Sequence, residues 1–218
     1  MTDRDIHPII RILRREVPKW ATPIVTLMAE TYQSPFRVLI SCILSLRTQD
    51  ATTAKASHRL FAVADSAPAM LKLSAKQIEK LIYPVGFYKT KAINILQICH
   101  SLIDDYQGKV PDDLDELLKL KGVGRKTANL VVTLGYQKPG ICVDTHVHRI
   151  SNRWGYVKTK TPEKTEFALR AKLPKSYWIE YNDLLVSFGQ HLCRPISPLC
   201  SGCPIRKYCR QIGVEARR

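Results

Sequence analysis

Helix-start residues recur along this chain, each followed by apolar residues at helical spacing, and the pattern leaves little room for a sheet. Ser34-Pro35 joins a capping hydroxyl to a proline in the first turn, ahead of the apolar run Val38 to Leu46. Asp50 is placed to cap a helix running towards Phe61. Ser74-Ala75-Lys76-Gln77 and Asp113-Leu114-Asp115-Glu116 read as capping boxes, and Thr161-Pro162 repeats the first signal. Gly86, Gly108 and Gly122 stand where helices should stop. Ile6, Ile9, Ile10 and Leu13 form one apolar face at the amino end, and further helices are expected near 91–106, 125–134, 145–154 and 177–192. Gly140 to Val143 is apolar and partly β-branched but too short to build a sheet. The expected fold class is all-α, without a repeat of the solenoid kind.

Charge narrows the partners. Thirty-four Lys and Arg against 19 Asp and Glu leave a formal +15, a field that attracts nucleic acid, an anionic membrane surface or an acidic protein. No stretch of about 18 apolar residues is present, so neither a bilayer-spanning helix nor a membrane partner is expected. Met1 to Asp5 lacks the apolar core of a secretory leader, and a cytoplasmic, nucleoid-associated monomer is the expectation.

The cysteines divide into two groups. Cys42, Cys99 and Cys142 sit singly in apolar stretches and read as small buried hydrophobes. The other four fall within 17 residues as Cys193-x6-Cys200-x2-Cys203-x5-Cys209. An odd total with one tight cluster argues for metal over a disulfide framework. Four soft thiolates suit zinc or an iron–sulfur cluster, and spacing alone does not choose between them. Arg194, Arg206, Lys207 and Arg210 decorate this loop, either as a phosphate-facing surface or as a solvated basic one.

The most informative stretch is Leu120-Lys121-Gly122-Val123-Gly124-Arg125-Lys126-Thr127-Ala128, a Gly-Val-Gly turn between two helices. Its glycines permit a tight turn and the close approach of another molecule. The amides at the mouth of the second helix, with Lys121, Arg125 and Lys126 around them, make an anion site. A nucleotide-binding P-loop is rejected because Arg125, not glycine, precedes Lys126. A solvated helix corner remains the bland reading. A helix-hairpin-helix that grips nucleic acid through phosphates fits the net charge as well.

Together with Val143-Asp144-Thr145-His146-Val147-His148-Arg149 and the cysteine tail, this stretch resembles the endonuclease III family of DNA glycosylases from about Ser34 to Cys209. The resemblance implies two helical lobes flanking a DNA groove. One is a six-helix helix-hairpin-helix lobe (28–138); the other is a discontinuous lobe (1–27 and 139–218) ending in a [4Fe–4S] loop held by Cys193, Cys200, Cys203 and Cys209. It implies Lys126 as nucleophile and Asp144 as catalytic carboxylate in a base-excision enzyme. That enzyme releases damaged, oxidised pyrimidines from duplex DNA and cleaves 3′ to abasic sites by β-elimination through a lysine imine. Chemistry asks for the same residue types. An amine attacks only when unprotonated, which the positive end of a helix and adjacent cations favour, while a carboxylate stabilises positive charge developing on the sugar. Asp144 also suits the N-cap of the helix behind it, and the two roles are compatible. Lys126 favours the bifunctional branch over relatives that only release the base, and the short tail after Cys209 leaves no room for the extra domain of adenine-specific relatives.

The match departs from the family at one place. A glutamine is expected to fill the hole left by the flipped nucleotide, but Leu46-Arg47-Thr48-Gln49 puts Arg47 there, with Gln49 two residues on. Either residue suits the gap, Arg47 by stacking and Gln49 by hydrogen bonding. His146 is a candidate for the lesion pocket, against a purely structural role. The rival readings are a pyrimidine-dimer glycosylase of the same fold and a cluster-bearing DNA binder without catalysis.

Overall fold

The computed structural model describes residues 1–20, 24–32, 34–216 and 218. Helix is the regular structure of these residues, and no strand occurs among them. In chain order the helices are α1 (Ile6–Glu16), α2 (Ile24–Tyr32), α3 (Pro35–Ser45), α4 (Asp50–Val63), α5 (Ala67–Met70) and α6 (Ala75–Ile82). They continue with α7 (Tyr88–Tyr106), α8 (Leu114–Lys119), α9 (Arg125–Leu130), α10 (Thr145–Trp154), α11 (Pro162–Lys172) and α12 (Trp178–His191). No described helix is long and apolar enough to cross a membrane. The chain divides into two compact units, Ile24–Lys138 and the pair of segments Met1–Pro23 and Pro139–Arg218.

In the Ile24–Lys138 unit α3 is the central element. Every residue from Phe36 to Leu44 except Arg37 is buried, as expected for a helix that is apolar on nearly all sides. Ser34 starts it as anticipated, its hydroxyl accepting the Arg37 amide at 3.4 Å. Leu60, Ile78, Ile82, Ile95, Ile98 and Leu102 complete the surrounding core. Cys42 and Cys99 are buried in it, which pushes both thiols up to about 12. In the other unit Ile6, Ile9, Ile10 and Leu13 of α1 are fully buried with Val147, Ile150 and Trp154 of α10 and Leu185 and Phe188 of α12.

Some helix boundaries differ from expectation. Gln49, with extended backbone, occupies the N-cap of α4, and Asp50 lies in the first turn, where its charge still favours the helix dipole. The capping box at Ser74 forms in full. At Asp113 only half of it does: Asp113 accepts from the Asp115 and Glu116 amides, while the Glu116 carboxylate is taken by Lys119 and Tyr106. Helix α6 ends at Ile82, not at Gly86, because Pro84 forces Tyr83 into extended backbone. Beyond α9 the chain widens into a π-helical turn over Val131–Gly135.

Candidate active site

In the Ile24–Lys138 unit, α8 leads into the Gly122-Val123-Gly124 turn and α9 opens from it. The two glycines do different jobs. Gly122 has φ +77°, which favours glycine, and a β-carbon on it would lie 2.9 Å from Asn94 Nδ2, so the end of the Asn94 side chain would have to give way. Gly124 has ordinary extended backbone and nothing within 4 Å of where a β-carbon would stand, so the outer side of the turn is open to an approaching molecule. Val123 is buried and its amide donates to Leu120 O at 3.1 Å, which fixes the shape of the turn from inside. Lys121 is exposed, and Arg125 and Lys126 are partly buried. Gly124 is the N-cap of α9 and supplies no side-chain cap, while Thr127 and Ala128 anchor the helix in the core. Cys42, on buried α3, feels the charge of Lys126.

The Leu46–Gln49 segment joins α3 to α4 in the same unit. Arg47 and Gln49 are exposed, and Arg47 has the left-handed φ of +53°, uncommon for a residue with a β-carbon. Its guanidinium lies 5.5 Å from the ring centroid of Phe87, itself exposed and left-handed at φ +58°. Sequence reasoning overlooked Phe87, and only an exposed aromatic next to Gly86 hinted at it.

The other unit carries Asp144, His146 and the cysteine loop. Asp144 is the N-cap of α10, its Oδ1 accepting the Val147 amide at 2.8 Å. The charge of Asp144 also acts on Arg149, one turn further along α10. Arg149 Nη2 donates to Cys193 O at 2.9 Å and lies 3.1 Å from His146 Nδ1. The His146 ring packs so closely on α12 that a β-carbon at Gly189 would stand 2.4 Å from Nδ1.

Cys193, Cys200, Cys203 and Cys209 line one small hollow, together with Arg153, Trp154, Phe188 and Leu192. Hydrogen-bond donors are aimed at the sulfurs: Arg153 Nη1 at Cys193 Sγ and the Gln211 amide at Cys209 Sγ, each at 3.3 Å. Burial pushes the Cys203 thiol up to about 11 and raises Cys193 and Cys209 as well. Arg149 Nε and Arg153 Nε are buried with no hydrogen-bond partner among the described residues. Two guanidinium groups with buried spare Nε donors, Arg153 lining the hollow and Arg149 bonded to Cys193 O, suit an anionic, sulfur-held group. Among the described residues, however, no three His, Cys, Asp or Glu side chains converge on a single metal-ion position.

The family described as the HhH-GPD superfamily base excision DNA repair protein matches residues 40–175. Endonuclease III of Thermotoga maritima is 50% identical over 175 residues, covering 80% of this chain and 82% of that protein. Endonuclease III of Rickettsia conorii is 35% identical over 204 residues, 94% of each chain. Among solved structures, a trapped endonuclease III–DNA covalent intermediate superposes with a TM-score of 0.86 at 35% identity, covering 97% of each chain. The chain therefore belongs to the endonuclease III family, within the HhH-GPD superfamily of base excision DNA repair proteins.

Proposed function

We propose that this protein is a base-excision repair glycosylase and abasic-site lyase whose nucleophile is Lys126 and whose catalytic carboxylate is Asp144. The observation that carries the reading is the hairpin: Lys126 stands in the first turn of a helix whose mouth is open to solvent at Gly124 and ringed by Lys121 and Arg125. Duplex DNA with a damaged base or an abasic site is the partner, gripped through phosphates at residues 121–125. Lys126 Nζ bonds to the sugar C1′ as the glycosidic bond breaks and the base leaves with the electron pair. The C1′–O4′ bond then opens, with the lysine proton passing to O4′, to leave an imine; loss of a C2′ proton from it expels the 3′ phosphate, so the strand breaks 3′ to the lesion. Asp144 offsets the positive charge that develops on the sugar. The reading requires Lys126, carried by one unit, and Asp144, carried by the other, to reach the same sugar. Oxidised pyrimidines are the proposed lesions, with Arg47 and Gln49 entering the vacated gap and His146 at the lesion pocket. A nucleoid location follows from the substrate.

The cysteine loop is read as the holder of a [4Fe–4S] cluster, with Cys193, Cys200, Cys203 and Cys209 as ligands. Four thiols lining one hollow, with Arg153 Nη1 and the Gln211 amide aimed at two of the sulfurs, suit an anionic, sulfur-held multinuclear group. Bound there, the cluster supplies cross-linking of the loop; the reaction itself moves no electrons.

Borohydride reduction of an abasic duplex in the presence of the protein tests the reading. The expected result is a covalent protein–DNA adduct; no adduct from folded protein would overturn it and leave a DNA binder without catalysis. Oligonucleotides with single defined lesions separate oxidised pyrimidines from pyrimidine dimers. Asp144→Asn separates capping from chemistry. Asparagine caps as well as aspartate, so the denaturant midpoint should hold, while single-turnover base release should fall roughly 10²–10³-fold. Asp144→Ala should lose both, with about 1 kcal/mol of stability gone.

A further inference from the structure

Lys91, on α7, is only 6% exposed, yet no step of the reaction uses it. Its ammonium donates to Leu44 O at 2.8 Å, to Leu46 O at 2.6 Å and to Thr48 Oγ1 at 3.3 Å, all neutral oxygens. Burial without a carboxylate among these partners pulls its pKa down to about 8. Holding a cation away from water is costly, and here hydrogen bonds to neutral oxygens offset the cost in part. Leu44 and Leu46 lie at the carboxyl end of α3, where helix carbonyls are left without intrahelical donors and the dipole is negative. Lys91 thus caps α3 from a helix more than 40 residues away in sequence.

The chain leaving α3 is fixed by the same group of contacts. Thr48 Oγ1 donates to Leu46 O at 3.2 Å and accepts the Gly86 amide at 3.1 Å, and the Thr48 amide donates to Ser45 O at 3.1 Å. A β-carbon at Gly86 would stand 2.6 Å from Arg47 O, so the two segments are packed backbone to backbone. Within this clamp Arg47 is held left-handed, a conformation that persists only when its surroundings over-determine it. The outcome is a short, pre-shaped turn with Arg47 and Gln49 exposed upon it.

We infer that Lys91 is a positioning residue, one that holds the 46–49 turn in the shape that lets Arg47 and Gln49 enter the gap in duplex DNA. The inference rests on the gap-filling reading of that turn given above. Pre-shaping matters because a turn that must order itself on binding loses affinity only where it is used, at the gap, and not on undamaged duplex.

The test compares binding to an undamaged duplex with binding to one carrying a tetrahydrofuran abasic analogue opposite 2-aminopurine, whose emission reports entry into the gap. Lys91→Met should keep its affinity for undamaged duplex within about twofold. It should lose about tenfold in preference for the gapped duplex, with most of the 2-aminopurine response. A purely structural defect would lower both affinities together, and that result overturns the proposal. The double variant Arg47→Ala/Gln49→Ala is measured alongside. If it loses the preference while Lys91→Met keeps it, Lys91 has no positioning role and the reading of the turn stands. If the double variant keeps the preference, the reading of the turn fails and takes the role of Lys91 with it. Should Lys91→Met not fold, Thr48→Val decides by the same readouts, since it removes one acceptor of the lysine and the anchor to Gly86 while leaving the buried charge in place.

Discussion

Lys126→Gln should abolish the borohydride-trapped adduct and slow cleavage at an abasic site by roughly 10⁴-fold, while duplex affinity changes by no more than about threefold. Glutamine is one bond shorter than lysine but has similar helix propensity, so α9 should form unchanged. Its amide nitrogen cannot form an imine. Thr127 and Ala128 are buried and keep the helix seated, and the Gly122 turn does not depend on the side chain at 126. Binding should survive because the open face of the hairpin and the cations at Lys121 and Arg125 are untouched. Gel-resolved trapping and single-turnover cleavage measure the two quantities. An adduct that persists at wild-type yield in Lys126→Gln would assign the nucleophile elsewhere, with the exposed Lys121 the first residue to examine.

The second large effect concerns the cysteine loop. Cys203→Ser should remove the visible absorbance near about 400 nm and most of the roughly four irons expected per chain for a [4Fe–4S] group. Because folding of such a loop is linked to its metal, several kcal/mol of stability should go with it. Trp154 and Phe188 wall the same hollow, so the loss should extend into the core that α10 and α12 share with α1. The control is Cys99→Ala, in the other unit, which should leave iron and sulfide content unchanged. Elemental analysis that finds one zinc per chain and no sulfide would replace the cluster with a zinc site.

Much of the fold was legible because helix punctuation is a local signal. A capping side chain and the amide it satisfies lie two or three residues apart, so Ser34, Ser74, Asp113 and Thr161 announced α3, α6, α8 and α11 correctly. The misplacements were also local. Asp50 was passed over because Gln49 took the extended backbone that a cap requires, and Gly86 because Pro84 acted first. Helices α2 and α5 went unforeseen; α5 is only a single turn. The residues proposed to carry the chemistry, Lys126 and Asp144, were picked out through short motifs in which each residue type has its own reason to be present.

The sequence by itself determined the all-helical class, the hairpin with its lysine, the capping carboxylate at α10 and the four-cysteine tail. Each of these is written in neighbouring residues through hydrogen bonds or spacing that span a few positions. Only the tertiary structure decided that Lys91 caps α3, that Gly189 makes room for His146, that Arg153 points at Cys193, and that Cys42 lies within range of the Lys126 charge. Those pairs are separated by about 40 residues or more. A lone lysine, glycine or arginine inside a helical pattern looks like any other until packing brings its partner to it. Burial then makes the contact matter, because away from water a charge or polar atom must find its partner within the fold.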